Sequence, residues 1–234
     1  MNYGCENKVV VITGGTSGIG RACALVLAAE GAKVFVLARH AKKVAGCEFV
    51  ACDVTQRKSV EGAFAQVAKK VGNIDILINS AGVYTEQMVE RHKDKDYDIL
   101  MDTNVRGTVL ACQYALQHMN GGSIVNVASD AGIRGNYGCA LYSASKGAVV
   151  AFSRSLALDV APAVRVNCVC PADVDTPLMR KQCAKGGYTV EDCVNVYPLG
   201  RIAKPEEIAH VICAVASPAN GFMTGAVIPV TGGL

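Results

Sequence analysis

The sequence predicts an α/β fold: a doubly wound parallel sheet of about seven strands with helices on both faces. Short β-branched runs alternate with helical patterns along the whole chain, as repeated βαβ units do. These runs are continuously apolar instead of alternating, which suits strands covered on both sides. No linker, charge block or low-complexity stretch interrupts the 234 residues, so residues 1–234 read as a single domain.

The strand-like runs fall at Lys8–Thr13, Lys33–Leu37, Glu48–Ala51, Asp75–Ile78, Ser123–Val127, Arg165–Val169 and Ala226–Val230. Helical periodicity marks about 18–30, 56–70, 102–119, 142–160 and 205–216, with apolar residues three and four apart. The connection from Arg39 to Cys47 is too short for a full helix and reads as a turn. Residues 178–197 are more polar, carry Gly186-Gly187 and follow a proline-punctuated loop. They read as a mobile lid, or as a surface excursion without a role.

Composition excludes several classes of function. The chain is 51% hydrophobic and 18% charged, with a net charge of +3 and no Lys/Arg cluster over a face. This predicts a globular protein without a nucleic-acid partner. No apolar run approaches the ~18–20 residues that span a bilayer. The opening MNYGCENKVVVIT lacks an export signal's apolar stretch, so no membrane association and a cytoplasmic location are expected. Eleven cysteines, an odd number, point to free thiols in a reducing compartment. Without a CxxC pair or clustered histidines, no metal site is predicted.

Chemistry concentrates at strand ends. The first strand runs into TGGTSGIG, with Gly14, Gly18 and Gly20 opening the next helix. Glycines let backbone N–H groups approach a diphosphate, and a helix N-terminus supplies positive dipole. Cys52-Asp53-Val54 follows the third strand, offering a carboxylate to an adenine amino group. Asn79-Ser80-Ala81-Gly82 ends the fourth with small residues where a flat ring can lie. Each alone could be strand-end punctuation; together they outline a dinucleotide site of the Rossmann type. Tyr142 and Lys146 then sit one helical turn apart, near Ser129. A cation beside a phenol lowers its pKa from about 10, and a serine hydroxyl can hold a substrate oxygen. Such a set suits proton transfer in carbonyl and alcohol chemistry.

These residues resemble the short-chain dehydrogenase/reductase family from Lys8 to Leu234, and within it the 3-oxoacyl-carrier-protein reductase and carbonyl reductase-like members. Thr13–Gly20 resembles TGxxxGxG, Asn79–Gly82 NNAG, and Tyr142 to Lys146 YxxxK; the closing TGAVIPVTGG resembles the family's last strand. The resemblance implies a catalytic set of Asn104, Ser129, Tyr142 and Lys146. It implies cofactor contacts from Gly14, Thr16, Ser17, Gly18, Ile19, Gly20, Asp53, Val54, Asn79, Ala81, Gly82, Tyr142 and Lys146, and from Pro171, Val174 and Thr176. Asn104 would organise a water, Lys146 would hold ribose hydroxyls, and a homotetramer is implied. Ser80 and Ala172 replace the family's Asn and Gly, and Thr231 stands where many members have Asp.

The second strand leads to Ala38-Arg39-His40, and no acid occurs between Gly31 and Cys47. The resemblance puts Ala38 where an NAD enzyme keeps its ribose-binding carboxylate, and Arg39 can pair with a 2′-phosphate. NADP(H) is therefore favoured over NAD, although Ser17 fills a position where many NADP-using relatives carry a second basic residue. The substrate is expected to be a small carbonyl or alcohol compound. Arg134, Arg180 and Lys181 could greet an acidic one, such as a 3-oxoacyl chain on a carrier, or could be solvated surface charges. Cys139, three residues before Tyr142, should border the pocket as a modifiable thiol or as an inert one. A cofactor-binding sensor or scaffold without turnover is the non-enzyme alternative; an epimerase or dehydratase would need a longer C-terminal region.

Overall fold

The computed structural model describes residues 2–234. Its sheet consists of β1 (Val9–Thr13), β2 (Lys33–Ala38), β3 (Cys47–Ala51), β4 (Ile76–Asn79), β5 (Gly122–Val127), β6 (Val164–Pro171) and β7 (Val227–Val230). All pairings are parallel, in the order β3-β2-β1-β4-β5-β6-β7. The order reverses between β1 and β4, which opens a crevice at their carboxyl ends.

Two apolar layers cover the sheet because successive strand residues point to opposite faces. Val10 and Ile12 pack beneath α1 (Gly18–Ala29) and α8 (Pro205–Ala216) with Leu27, Ile208 and Ile212. Val9 and Val11 pack on the other face with Phe64 of α2 (Arg57–Val71) and Leu110 of α4 (Gly107–Leu116). This two-sided burial is why the strands read as continuous apolar runs. The remaining helices are α3 (Asp94–Leu100), the short α5 (Ala131–Arg134), α6 (Ala140–Asp159) and α7 (Pro177–Gly186).

Three stretches differ from the sequence reading. The helix expected from residue 102 begins instead with α3, followed by a widened π turn at Met101–Arg106 that carries Asn104 into α4. Residues 178–197 are largely helical: α7, capped by Thr176 Oγ1 accepting from Met179 N at 3.2 Å, and a 3₁₀ turn at Glu191–Val196. α6 starts two residues before Tyr142. The connection after Arg39 is helix-free through Gly46, as its length predicts.

Candidate functional site

The floor of the crevice is set by backbone contact. Gly14 has φ +68°, and a Cβ there would lie 2.8 Å from Ala81 Cα. A Cβ on Gly20 would lie 2.6 Å from the Gly14 carbonyl oxygen. Only glycine allows both the left-handed turn and this approach, so the loop after β1 and the segment after β4 meet face to face. The cleft they bound is lined by Gly14, Thr16, Ser17, Gly18, Ile19, Arg39, Asp53, Val54, Ala81, Gly82, Tyr142, Lys146 and Thr176 among the expected residues. Leu37, Ala38, His40, Cys52, Thr55 and Thr103 also line it; all are backbone neighbours of the motifs and carry no signal of their own in sequence.

Gly20 and Asn79 lie beneath this surface. Asn79 is 3% exposed and accepts from Thr13 Oγ1 at 3.2 Å, while its Nδ2 donates to Asn126 Oδ1 at 2.9 Å. Asn126 in turn donates to Ser153 Oγ at 2.9 Å. This buried polar chain ties β1, β4, β5 and α6 together, with its hydrogen bonds made internally. Asp53 Oδ1 accepts from Thr55 N at 3.0 Å and Oγ1 at 2.8 Å, which fixes its carboxylate at the cleft wall. Arg39 is exposed and forms no ion pair among the described residues.

A second cavity adjoins the first and shares Ile19, Val127, Ala128, Tyr142, Thr176 and Leu178 with it. Ser129, Cys139, Pro171, Ala172, Asp173 and Val174 line this one, together with Tyr84, Glu86 and Tyr188. Tyr142 therefore faces both spaces. Its ring meets the edge of Tyr84 with centroids 4.6 Å apart and planes at 78°. Tyr84 was not recognisable in sequence; its one clue is its place two residues beyond Gly82.

Electrostatics around Tyr142 depart from the sequence argument. Burial raises the phenol's pKa, and the hydrogen bond with Ser129 lowers it only in part. Lys146 Nζ stands 5.9 Å from the Tyr142 ring centroid and donates to the Val127 carbonyl at 3.0 Å. Burial brings the Lys146 pKa down to about 8. The expectation that Lys146 lowers the phenol is thus not met in the protein by itself: desolvation acts on both groups, and the ammonium is anchored to a carbonyl. Tyr142 is a protonated phenol at neutral pH, the form a proton donor requires.

Asn104 is 1% exposed and lines neither space. Its Nδ2 donates to Val83 O and Ser145 Oγ, both at 3.0 Å, and its Oδ1 accepts from Val83 N at 2.8 Å. Ser145 Oγ donates to the Tyr142 carbonyl at 2.7 Å. A Cβ on Gly82 would sit 3.3 Å from Asn104 Oδ1 and 3.5 Å from Lys146 Nζ. Asn104 thereby clamps the 82–84 loop against the first turns of α6, the turns that present Tyr142 and Lys146. Ser129 Oγ donates to Asp130 Oδ1 at 3.0 Å and accepts from Ala131 N at 3.2 Å, so its rotamer is held.

Three surface expectations resolve. Arg134 pairs with Asp130 at 2.9 Å and Arg180 with Asp175 at 2.6 Å, while Lys181 lines neither cavity. Cys139 borders the second cavity but is buried, hydrogen-bonded with the Tyr84 hydroxyl at 3.1 Å, and burial raises its pKa, which disfavours the reactive thiolate. Cys168 and Cys170 on β6 place their sulfurs 3.8 Å apart. Among the described residues no group of His, Cys, Asp or Glu could hold a metal ion, and no helix is long and apolar enough to cross a membrane.

Comparison with known proteins places this geometry. A family model described as enoyl-(acyl carrier protein) reductase matches residues 14–234. The 3-oxoacyl-[acyl-carrier-protein] reductase of Thermotoga maritima is 36% identical, over 98% of this chain and 98% of that protein. The meso-2,3-butanediol dehydrogenase of Serratia marcescens is 41% identical, over 97% and 94%. Ligand-free aldohexose dehydrogenase of Thermoplasma acidophilum superposes with a TM-score of 0.95 at 33% identity, covering 100% of this chain and 96% of that one. ElxO with NADP bound superposes with a TM-score of 0.90 at 28% identity, over 97% and 98%.

Proposed function

We propose that this chain, which belongs to the short-chain dehydrogenase/reductase family of oxidoreductases, is an NADPH-preferring reductase of carbonyl compounds, with Tyr142 as the proton donor. The observation that carries this reading is the position of Tyr142, held protonated on the wall shared by two cavities. When bound, the nicotinamide supplies the hydride. The first cleft fits such a group on its own terms: a glycine cradle that a Cβ would fill, a carboxylate fixed at Asp53, and an unpaired guanidinium at Arg39.

The remaining work falls to this chain's residues. Ser129, with its rotamer set by Asp130 and Ala131, hydrogen-bonds the substrate oxygen and orients it toward Tyr142. Tyr142 gives its hydroxyl proton to that oxygen as charge develops there, a contribution of about 10²–10⁴ in rate. Lys146 stabilises the phenolate left behind and offers hydrogen bonds to ribose hydroxyls. Asn104 acts by position, fixing the loop and helix that carry the others. Arg39 selects the 2′-phosphate; a hydrogen bond to a charged group is worth roughly 1.5–3 kcal/mol, or about 10- to 100-fold in affinity.

A ketone and alcohol panel with both cofactors, followed by nicotinamide absorbance, tests the reading. NADPH should exceed NADH in kcat/KM; equal values or an NADH preference would remove the cofactor assignment, and no turnover on any carbonyl would favour the sensor alternative. Family resemblance supports a homotetramer, and the fully exposed Phe222 near β7 and Leu158 on α6 supply apolar surface for one; sedimentation decides it. A cytoplasmic location accords with eleven free cysteines.

A further inference from the structure

The cavity that opens on Tyr142 and Ser129 has a volume of about 480 Å³. Among the described residues, no Lys, Arg or His lines it, whereas Glu86, Asp130 and Asp173 do. Two of these acids are answered from within the protein. Asp130 is 4% exposed and pairs with Arg134 at 2.9 Å. Glu86 accepts from the Tyr188 hydroxyl at 2.9 Å and the Gln182 amide at 3.4 Å. It also lines an outer pocket, where Arg91, Lys93 and Lys185 stand. Asp173 is left, and it forms no ion pair among the described residues.

Asp173 is held in place by its backbone, just beyond the end of β6. Its N–H donates to the Tyr197 hydroxyl at 3.1 Å, and its carbonyl accepts from Ala203 N at 3.1 Å. The side chain reaches water through the cavity, yet the surrounding walls desolvate it and raise its carboxyl. Burial raises Tyr142, Cys139 and Cys193 around the cavity, and the Asp173 charge adds to each. A ligand filling this space displaces the water that solvates Asp173. A neutral ligand would then leave a desolvated, unpaired carboxylate, and an anionic one would add repulsion. A ligand that brings its own cation removes both costs. Tyr84, Tyr137, Tyr142 and Tyr188 line the same space, and phenol faces attract organic cations.

We propose that Asp173 is a specificity-determining residue, and that the substrate is a carbonyl compound carrying an ammonium group, an amino ketone or amino aldehyde. The proposal rests on the reductase reading for what happens at Tyr142. It adds the feature that orients the substrate: the carbonyl against Tyr142 and Ser129, and the ammonium against Asp173 and the tyrosine rings. Arg91, Lys93 and Lys185 repel the ammonium from the outer pocket and so keep it at the Asp173 end.

Calorimetric titration of the protein loaded with oxidised NADP tests this without turnover. The probes are 5-(dimethylamino)pentan-2-one, protonated at neutral pH, and its neutral isostere 6-methylheptan-2-one. The charged ketone should bind about tenfold or more tightly. In Asp173→Asn, which keeps the side chain's size, Tm should hold and the advantage should vanish. Equal binding of the two ketones by the parent, or an advantage that survives Asp173→Asn, overturns the proposal. So does equally tight binding of 5-hydroxypentan-2-one, which would make Asp173 a reader of hydroxyl groups. Turnover with NADPH separates this from the reductase reading: the parent should prefer the amino ketone in kcat/KM, and Asp173→Asn should reduce that preference about tenfold. If both ketones are reduced alike and the variant changes neither, the ammonium specificity fails while the reductase stands. If neither is reduced although the amino ketone binds selectively, the reductase reading fails and the recognition of a cation by Asp173 remains.

Discussion

The two spaces that meet at Tyr142 have walls of different kinds. The cleft at the ends of β1 and β4 is walled by backbone: Gly14 against Ala81, Gly20 against Gly14, with the Thr13–Asn79–Asn126–Ser153 chain locked beneath. The cavity on the other side is walled by side chains from α7, the 3₁₀ turn and the 83–88 loop. Tyr188 and Gln182, meeting Glu86, are the hydrogen bonds that join these elements across the cavity. A wall of backbone admits one ligand geometry and tolerates little change. A wall of side chains can be rebuilt without disturbing the sheet, which is how one fold serves many substrates.

This contrast orders the expected effects of substitution. Gly14→Val should be the most severe, since it forces a β-branched residue to φ +68° and a Cβ to within 2.8 Å of Ala81. The left-handed backbone alone costs about 1–2 kcal/mol, and the clash adds to it. Cofactor binding should fall below detection in a fluorescence titration of the reduced nicotinamide; a variant that binds normally would break the comparison.

Next comes pH. Lys146 loses its proton as pH rises through about 8, whereas Tyr142, raised by burial, stays protonated over that range. Loss of the ammonium removes the charge that stabilises the phenolate formed on proton donation, so reduction should slow above pH about 8. A pH profile of kcat/KM should show that alkaline limb in the parent and not in Lys146→Met. A parent profile flat to pH about 10 would contradict the role of Lys146.

Arg39→Ala should weaken NADPH by about 10- to 100-fold and leave NADH almost unchanged, read as kcat/KM for each. Equal losses for both would make Arg39 a general support for the loop. The smallest effect belongs to the second wall. Tyr188→Phe removes one partly exposed hydrogen bond to Glu86, so stability should move by less than about 0.5 kcal/mol while KM for the carbonyl changes. A large drop in Tm would show that this wall is as integral as the first.

Legibility in the sequence follows the same divide. The parallel sheet, its two covered faces and the glycine loop were readable because each imposes a pattern at fixed spacing: apolar runs, 3.6-residue periodicity, and small residues at strand ends. Tyr142 and Lys146 were readable as an i, i+4 pair. Asn104 was placed by resemblance, but its clamp on Val83 and Ser145 depends on a π turn that apolar periodicity does not encode. α7 was missed because its residues are polar and its start depends on the Thr176 cap. Glu86 and Tyr188 stand 102 residues apart in sequence and meet only where the 83–88 loop, which also carries Tyr84, reaches the turn after α7. Desolvation of Tyr142 and Lys146 is likewise a property of the packed site, and burial, the largest influence on the phenol, acts in the raising direction that no i, i+4 spacing encodes.

The central claim is that Tyr142 donates the proton and does not hold the cofactor or the fold. Tyr142→Phe removes one hydroxyl from the wall between the two spaces, so paired titration and turnover measurements on this variant test the claim most directly. The account predicts an unchanged Tm, an NADPH affinity within about twofold of the parent, and a kcat lower by about 10²–10⁴. Reduction at near the parent rate, or a loss of activity that tracks a loss of NADPH binding, would contradict it.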